Sequence, residues 1–205
     1  MAGLYVHVPF CASRCIYCDF YSTTQATEQN ELYTQALIAE IKSRAERWDD
    51  TFHTIYFGGG TPSQLSITEV SQIVDAIHTS LQISPSAEIT FEANPDDINK
   101  NYVNQLKSLG INRISLGVQT FDDDRLHFLR RRHTAKEAAK AVETTSSIIE
   151  NISLDLIYGL PRETLVEWET DIRIALQLPI KHLSSYALTI EKGTPLFQLR
   201  QKQIV

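Results

Sequence analysis

Cysteine occurs three times in this chain, and all three fall within eight consecutive residues, as Cys11-x3-Cys15-x2-Cys18. An odd number of cysteines packed so closely does not make a disulfide framework, and it favours ligation instead. Three thiolates satisfy three irons of a cubane [4Fe–4S] cluster, whereas an electron-transfer cluster takes four cysteines. The fourth iron is then open to a small molecule. Spacing alone leaves a zinc site as the alternative, which needs four ligands in structural use and would recruit a histidine such as His7. His7 sits in an alternating strand and reads as a structural hydrogen-bonding residue, outside the metal shell.

Around the cysteines, short β-branched and aromatic runs alternate with helix-period segments. The runs cover 3–8, 54–57, 87–92, 112–118, 152–157 and 182–189, which predicts six strands. Between them Leu37, Ile41 and Trp48 share one helical face, as do Val70, Ile73, Val74, Ile77 and Leu81, and again Leu165, Trp168, Ile172 and Leu176. Regular alternation implies parallel strands with right-handed crossovers, hence an α/β fold with helices covering the sheet on one side. Six units in 205 residues suit a partial barrel or an open sheet, since a closed eight-stranded barrel takes about 250 residues.

The chain reads as one domain over 1–205, with 42% hydrophobic and 21% charged residues. A net charge of −6 disfavours a nucleic-acid surface, and Arg130, Arg131 and Arg132 form the one local basic cluster. No apolar run of about 18 residues spans a bilayer, and MAGLYVHVPF lacks the features of a signal peptide, so a cytoplasmic protein is expected. The last unit, from Gly193-Thr194-Pro195 to Val205, has barely enough residues for a helix of three turns. The expectation is the N-terminal part of a longer protein, with a C-terminal domain beyond this sequence.

The cysteine loop follows the first strand, at the carboxyl end where α/β proteins place their chemistry. Gly58-Gly59-Gly60-Thr61-Pro62 follows the second strand and either presents backbone N–H groups to a ligand or makes a tight turn. Glu92-Ala93-Asn94-Pro95 ends the third strand and Gly117-Val118-Gln119 the fourth, while Asp155 lies in the fifth before Gly159-Leu160-Pro161. Carboxylates so placed accept hydrogen bonds from ribose hydroxyls or an ammonium, and Gln119 both donates and accepts. Their shared rim position suits a nucleoside carrying an amino acid. Taken singly, Glu92 or Asp155 reads equally well as a helix cap or a backbone anchor. In the helical stretch after the fourth strand, one guanidinium of the arginine run could clamp a carboxylate while the others face solvent.

Together, YVHVPFC-x3-C-x-YCDF, YFGGGTPS, FEANP, SLGVQTFDD and LDLIYGLP resemble the branch of the radical SAM family that contains oxygen-independent coproporphyrinogen III oxidases and heme chaperones. The resemblance runs from Tyr5 to about Pro195. It implies a partial (β/α)6 barrel in which Cys11, Cys15 and Cys18 bind the cluster and S-adenosylmethionine chelates the open iron. It also implies cofactor contacts at Tyr5, Tyr17, Gly59, Gly60, Thr61, Glu92, Gln119, Arg131 and Asp155. The implied chemistry is reductive cleavage of the sulfonium to methionine and a 5′-deoxyadenosyl radical, with an electron donor as partner. Oxidases of this branch carry one more cysteine, where this chain has Phe20, and an N-terminal extension. Both features point to the heme-chaperone side, with heme or porphyrin and a heme-acceptor protein as partners, and with heme ligands expected beyond Val205.

Overall fold

The structure, a computed structural model, describes residues 2–24 and 26–204. The expected α/β architecture is present: six parallel strands in the order β1-β2-β3-β4-β5-β6, curled into a half-barrel. The strands are β1 Ala2–Val8, β2 Thr51–Gly59, β3 Gln82–Ala93, β4 Arg113–Gln119, β5 Asn151–Tyr158 and β6 His182–Ala187. The helices are α1 Ala26–Ala45, α2 Ile67–Ser80, α3 Lys100–Ser108, α4 Asp123–Phe128, α5 Ala135–Ser146, α6 Leu165–Gln177 and α7 Pro195–Gln201.

Register explains the two faces of this sheet. One row across five strands reads Val6, Phe57, Phe91, Ile114 and Ile152, each paired with the next. All five are buried, in one core with Ile73 and Ile77 of α2, Val103 and Leu106 of α3 and Val142 of α5. Each such side chain stabilises the fold by about 1.5–3 kcal/mol. The row one residue earlier reads Tyr5, Tyr56, Thr90, Arg113 and Asn151 and faces the lumen. A slip of one residue would bury the polar row and expose the apolar one, so the register is strongly specified.

The helices begin where side chains meet their first free N–H groups. Ser66 with Glu69, Thr134 with Glu137 and Thr164 with Glu167 form capping boxes on α2, α5 and α6. These caps place each helix start immediately beside the strand-end loops that carry the motifs.

Several expectations about helices are corrected. Trp48 lies beyond α1 and is 54% exposed, because the helix stops at Ala45 and the chain turns towards β2. On α6, Leu165 and Leu176 are exposed, and the buried positions are Asp171 and Ala175. The inward face is thus rotated from the purely apolar one, because a carboxylate is drawn inside by hydrogen bonds described below. The arginine run occupies the turn between α4 and α5, after Leu129 caps α4, rather than a helix. α7 spans seven residues, about two turns.

Candidate functional site

The loop after β1 is pinned at several points. Thr23 N donates to Pro9 O at 2.7 Å and Cys11 N to Thr23 O at 2.9 Å, which folds the loop back on its own start. Ile16 is buried, donates to Leu129 O and accepts from Leu196 N at 2.9 Å. The loop is thereby clamped between the β4–α5 connection and α7. Phe10 fills the space beneath it, edge-on to Tyr33 at 5.2 Å.

This clamping holds the three thiols near one another at the mouth. Cys11 is buried, with Thr61 Oγ1 donating to its Sγ at 3.5 Å, and Cys15 receives a hydrogen bond from Arg131 Nη1 at 3.4 Å. Burial pushes the Cys18 thiol up, and the neighbouring Cys15 and Cys11 add to the effect. Among the described residues no three His, Cys, Asp or Glu side chains converge on one point that a single ion could fill. A cubane takes each thiolate on a different iron. Tyr17 lies inside the loop against Leu129, Ile157 and Leu160, and burial raises its phenol.

The glycine-rich segment serves the cysteine loop directly. Gly60 N donates to Val8 O at 2.7 Å, and a Cβ on Gly60 would lie 2.8 Å from Phe10 O. Gly59 has φ 113°, and a Cβ there would meet the His7 ring at 2.5 Å. The backbone of Gly59 also lies close enough to the Glu92 carboxylate to oppose the rise that burial causes in it. His7 has the structural role expected of it: its ring lies between the Tyr5 hydroxyl at 3.2 Å and Tyr21 O at 3.1 Å.

Inside the lumen two carboxylates lie close together, largely shielded from water. Glu92 accepts from Tyr56 at 2.6 Å, and Asp155 from Ser115 at 3.1 Å. Burial raises both carboxyls, and Asp155 raises Glu92 further. Such a pair is relieved by a cationic ligand lying between the two groups. Tyr5, 57% exposed, stacks on Tyr56 at 6.1 Å and brings an aromatic face to the same lumen.

Gln119 closes the mouth from the β4 side in a left-handed conformation, φ 74°, beside a register shift between Gly117 and Gln119. Non-glycine residues rarely adopt this region, and surrounding bonds must hold it there. Before it, His133 Nε2 lies 3.1 Å from Val118 O; after it, Asp171 accepts from Thr120 Oγ1 at 2.6 Å and Phe121 N at 2.9 Å. Arg131 lies across Gly117, donating to Gly117 O and to Asn94 Oδ1 at 2.6 Å each. A Cβ on Gly117 would stand 2.8 Å from Gln119 Nε2, so a larger residue there would push the Gln119 side chain from its present position. Of the other two arginines, Arg132 pairs with Asp97 at 2.9 Å and Arg130 is exposed.

His133 gives the site a testable pH signature. Burial, with Arg131 second, lowers its pKa to about 4 from an ordinary 6.5, and Nδ1 has no hydrogen-bond partner. The unfolded chain takes up a proton there between pH 6.5 and about 4 that the native chain does not, so acidification through this window destabilises the fold. In His133→Gln, the stability lost between pH 7 and pH 5 should shrink by about 2 kcal/mol in urea titrations. An unchanged pH dependence would remove His133 from this role.

The structure thus brings Cys11, Cys15, Cys18, Thr61, Glu92, Gln119, Arg131 and Asp155 to one mouth, with Tyr5 on the wall and Tyr17 beneath the loop. Sequence reasoning does not find Tyr56, Asn94, His133 and Asp171 as partners of these residues. Asp171 does leave a signal: a carboxylate three residues after Trp168 sits on the face that periodicity assigns to the core.

Comparisons with known proteins agree with this geometry. The Radical SAM superfamily matches residues 5–175. The heme chaperone HemW of Bacillus subtilis (strain 168) is 40% identical over 205 residues, covering 98% of this chain and 54% of its own length. HemW of Escherichia coli (strain K12) is 38% identical over 195 residues, covering 94% and 52%. The chain spans about half the length of the curated relatives it matches. Among solved structures, coproporphyrinogen III oxidase (HemN) from Escherichia coli, described as a radical SAM enzyme, superposes with a TM-score of 0.85 at 26% identity, covering 98% of this chain and 51% of that one.

Proposed function

The chain belongs to the radical SAM superfamily, and on that premise we propose that it is the barrel of a heme chaperone, binding a [4Fe–4S] cluster and S-adenosylmethionine and passing heme to an acceptor protein. The observation that carries this reading is the mouth itself: three thiols beside a carboxylate-lined lumen, with Arg131 linking the cysteine loop to β4. Cys11, Cys15 and Cys18 would hold the cluster. When bound, the cluster would supply a coordination site for the amino-acid end of S-adenosylmethionine and the electron for its reductive cleavage.

The chain's own residues bind and orient. Glu92 and Asp155 supply negative charge for the cationic end of the cofactor and acceptors for its hydroxyls. Gln119 and Tyr5 line the adenosyl space. Gly59, Gly60 and Thr61 hold the cysteine loop at the distance these contacts need, and Arg131 and Tyr17 shield its inner side from water. Asp155→Ala should weaken S-adenosylmethionine binding by at least about tenfold while iron content stays at the parent level, since Asp155 touches no thiol. Equal affinity in isothermal titration would sever Asp155 from the cofactor.

Phe20 stands where the oxidases carry another cysteine, and the 40% identity with HemW exceeds the 26% with HemN. Among the described residues no helix is long and apolar enough to cross a membrane; we place the protein in the cytoplasm, with an electron donor serving the cluster. The deciding experiment uses anaerobically reconstituted full-length protein. Heme should bind and move to an apo-acceptor, followed by absorbance. Conversion of coproporphyrinogen III to protoporphyrinogen would make the protein an oxidase instead, and stoichiometric zinc without cluster absorbance would remove the radical SAM reading of the cysteines.

A further inference from the structure

The lumen has a second polar cluster at the end away from the cysteines, where β4, β5 and β6 begin. A cavity of about 490 Å³ opens there, lined by Tyr56, Glu88, Thr90, Arg113, Asn151 and His182 among others. Its one permanent cation is Arg113, whose side chain is only 15% exposed. Nη1 donates to Thr90 Oγ1 at 3.2 Å, and the nearest carboxylate is Glu88, 3.9 Å from Nε and 47% exposed. That separation is too long for a hydrogen bond, and Glu88 is drawn instead towards Asn151 Nδ2 at 3.4 Å. Among the described residues the guanidinium therefore retains donors that no acceptor uses, on a fork shaped for a planar anion.

His182 completes the arrangement. Its Nδ1 lies 2.9 Å from Ser153 Oγ, and among the described residues Nε2 has no hydrogen-bond partner. Tyr56, whose hydroxyl binds Glu92, forms the boundary between this floor and the carboxylate pair above. One tube thus presents acidic groups near the mouth and a basic anchor at its floor.

We infer that the lumen floor is a carboxylate-binding subsite with Arg113 as anchor and His182 as flanking donor, and that it takes a propionate arm of the tetrapyrrole. The identity of the ligand rests on the heme-chaperone reading; the carboxylate chemistry rests on Arg113. A bidentate guanidinium–carboxylate pair in a half-enclosed site changes affinity by about tenfold or more. The macrocycle would remain at the open side of the half-barrel with only the acid arm inside.

The test titrates reconstituted full-length protein with coproporphyrin III and with its tetramethyl ester, following porphyrin fluorescence. The parent should prefer the acid by about tenfold or more. Arg113→Gln should abolish that preference, and Glu88→Gln, which removes the competing carboxylate from an exposed position, should enlarge it by several fold. If Arg113→Gln keeps the parent's preference, the subsite does not exist. A role for Arg113 as counter-ion to Asp155 alone would lower S-adenosylmethionine affinity and leave both porphyrin affinities unchanged, which also overturns the proposal. Should Arg113→Gln fail to fold, an unchanged preference in Glu88→Gln overturns it equally. Heme transfer failing while the acid preference persists would refute the chaperone reading and leave the subsite standing.

Discussion

Cys15→Ala should abolish cluster assembly, with iron falling from about four per chain to background after anaerobic reconstitution. Two thiolates cannot hold three irons of a cubane. Cys15 is tied to the β4–α5 connection through Arg131 Nη1 at 3.4 Å, and it belongs to no apolar cluster. Its loss should therefore leave the fold intact, with the unfolding midpoint shifted little. Retention of a full iron complement would assign the thiol a role other than ligation.

Arg131→Met should produce the second large effect, and it acts on stability as well as on the site. The guanidinium is the donor for Gly117 O and for Asn94 Oδ1, both at 2.6 Å, and it lies among groups with little access to water. Methionine fills much of the stem volume and donates nothing. Leaving a part-buried carbonyl and a part-buried amide oxygen without this donor costs about 2 kcal/mol together, at the low end of about 1–3 kcal/mol for each group. The variant also loses the cation that faces the Cys15 thiol, so iron loading should fall alongside stability. Urea unfolding and iron counting on the same preparation check both; a variant as stable and as fully loaded as the parent would contradict the argument.

The six strands and their direction are legible in the sequence because each inner strand carries an apolar row on one face and a polar row on the other. Val6, Phe57, Phe91, Ile114 and Ile152 announce the helix side, and the strand-end motifs announce the mouth. Pairing between segments distant in the chain is not legible in the same way. Asn94 meeting Arg131, or Asp171 meeting Thr120, depends on where loops land in three dimensions. The inward face of α6 escapes periodicity for the same reason: a buried carboxylate is favourable only when donors from β4's exit are already waiting for it. Trp48 reads as helical in the sequence because apolar spacing does not show where a helix stops.

Strand order repeats chain order, so each new strand finds its neighbour already in place and pairing proceeds by local steps. The clamps on the cysteine loop are different: Ile16 reaches Leu129 on one side and Leu196 on the other, both far along the sequence from the loop itself. Contacts of long sequence separation form late, because the loop they close is large. The half-barrel should therefore assemble before its first loop is fastened, so the cysteine loop reaches its final position only when α7 docks.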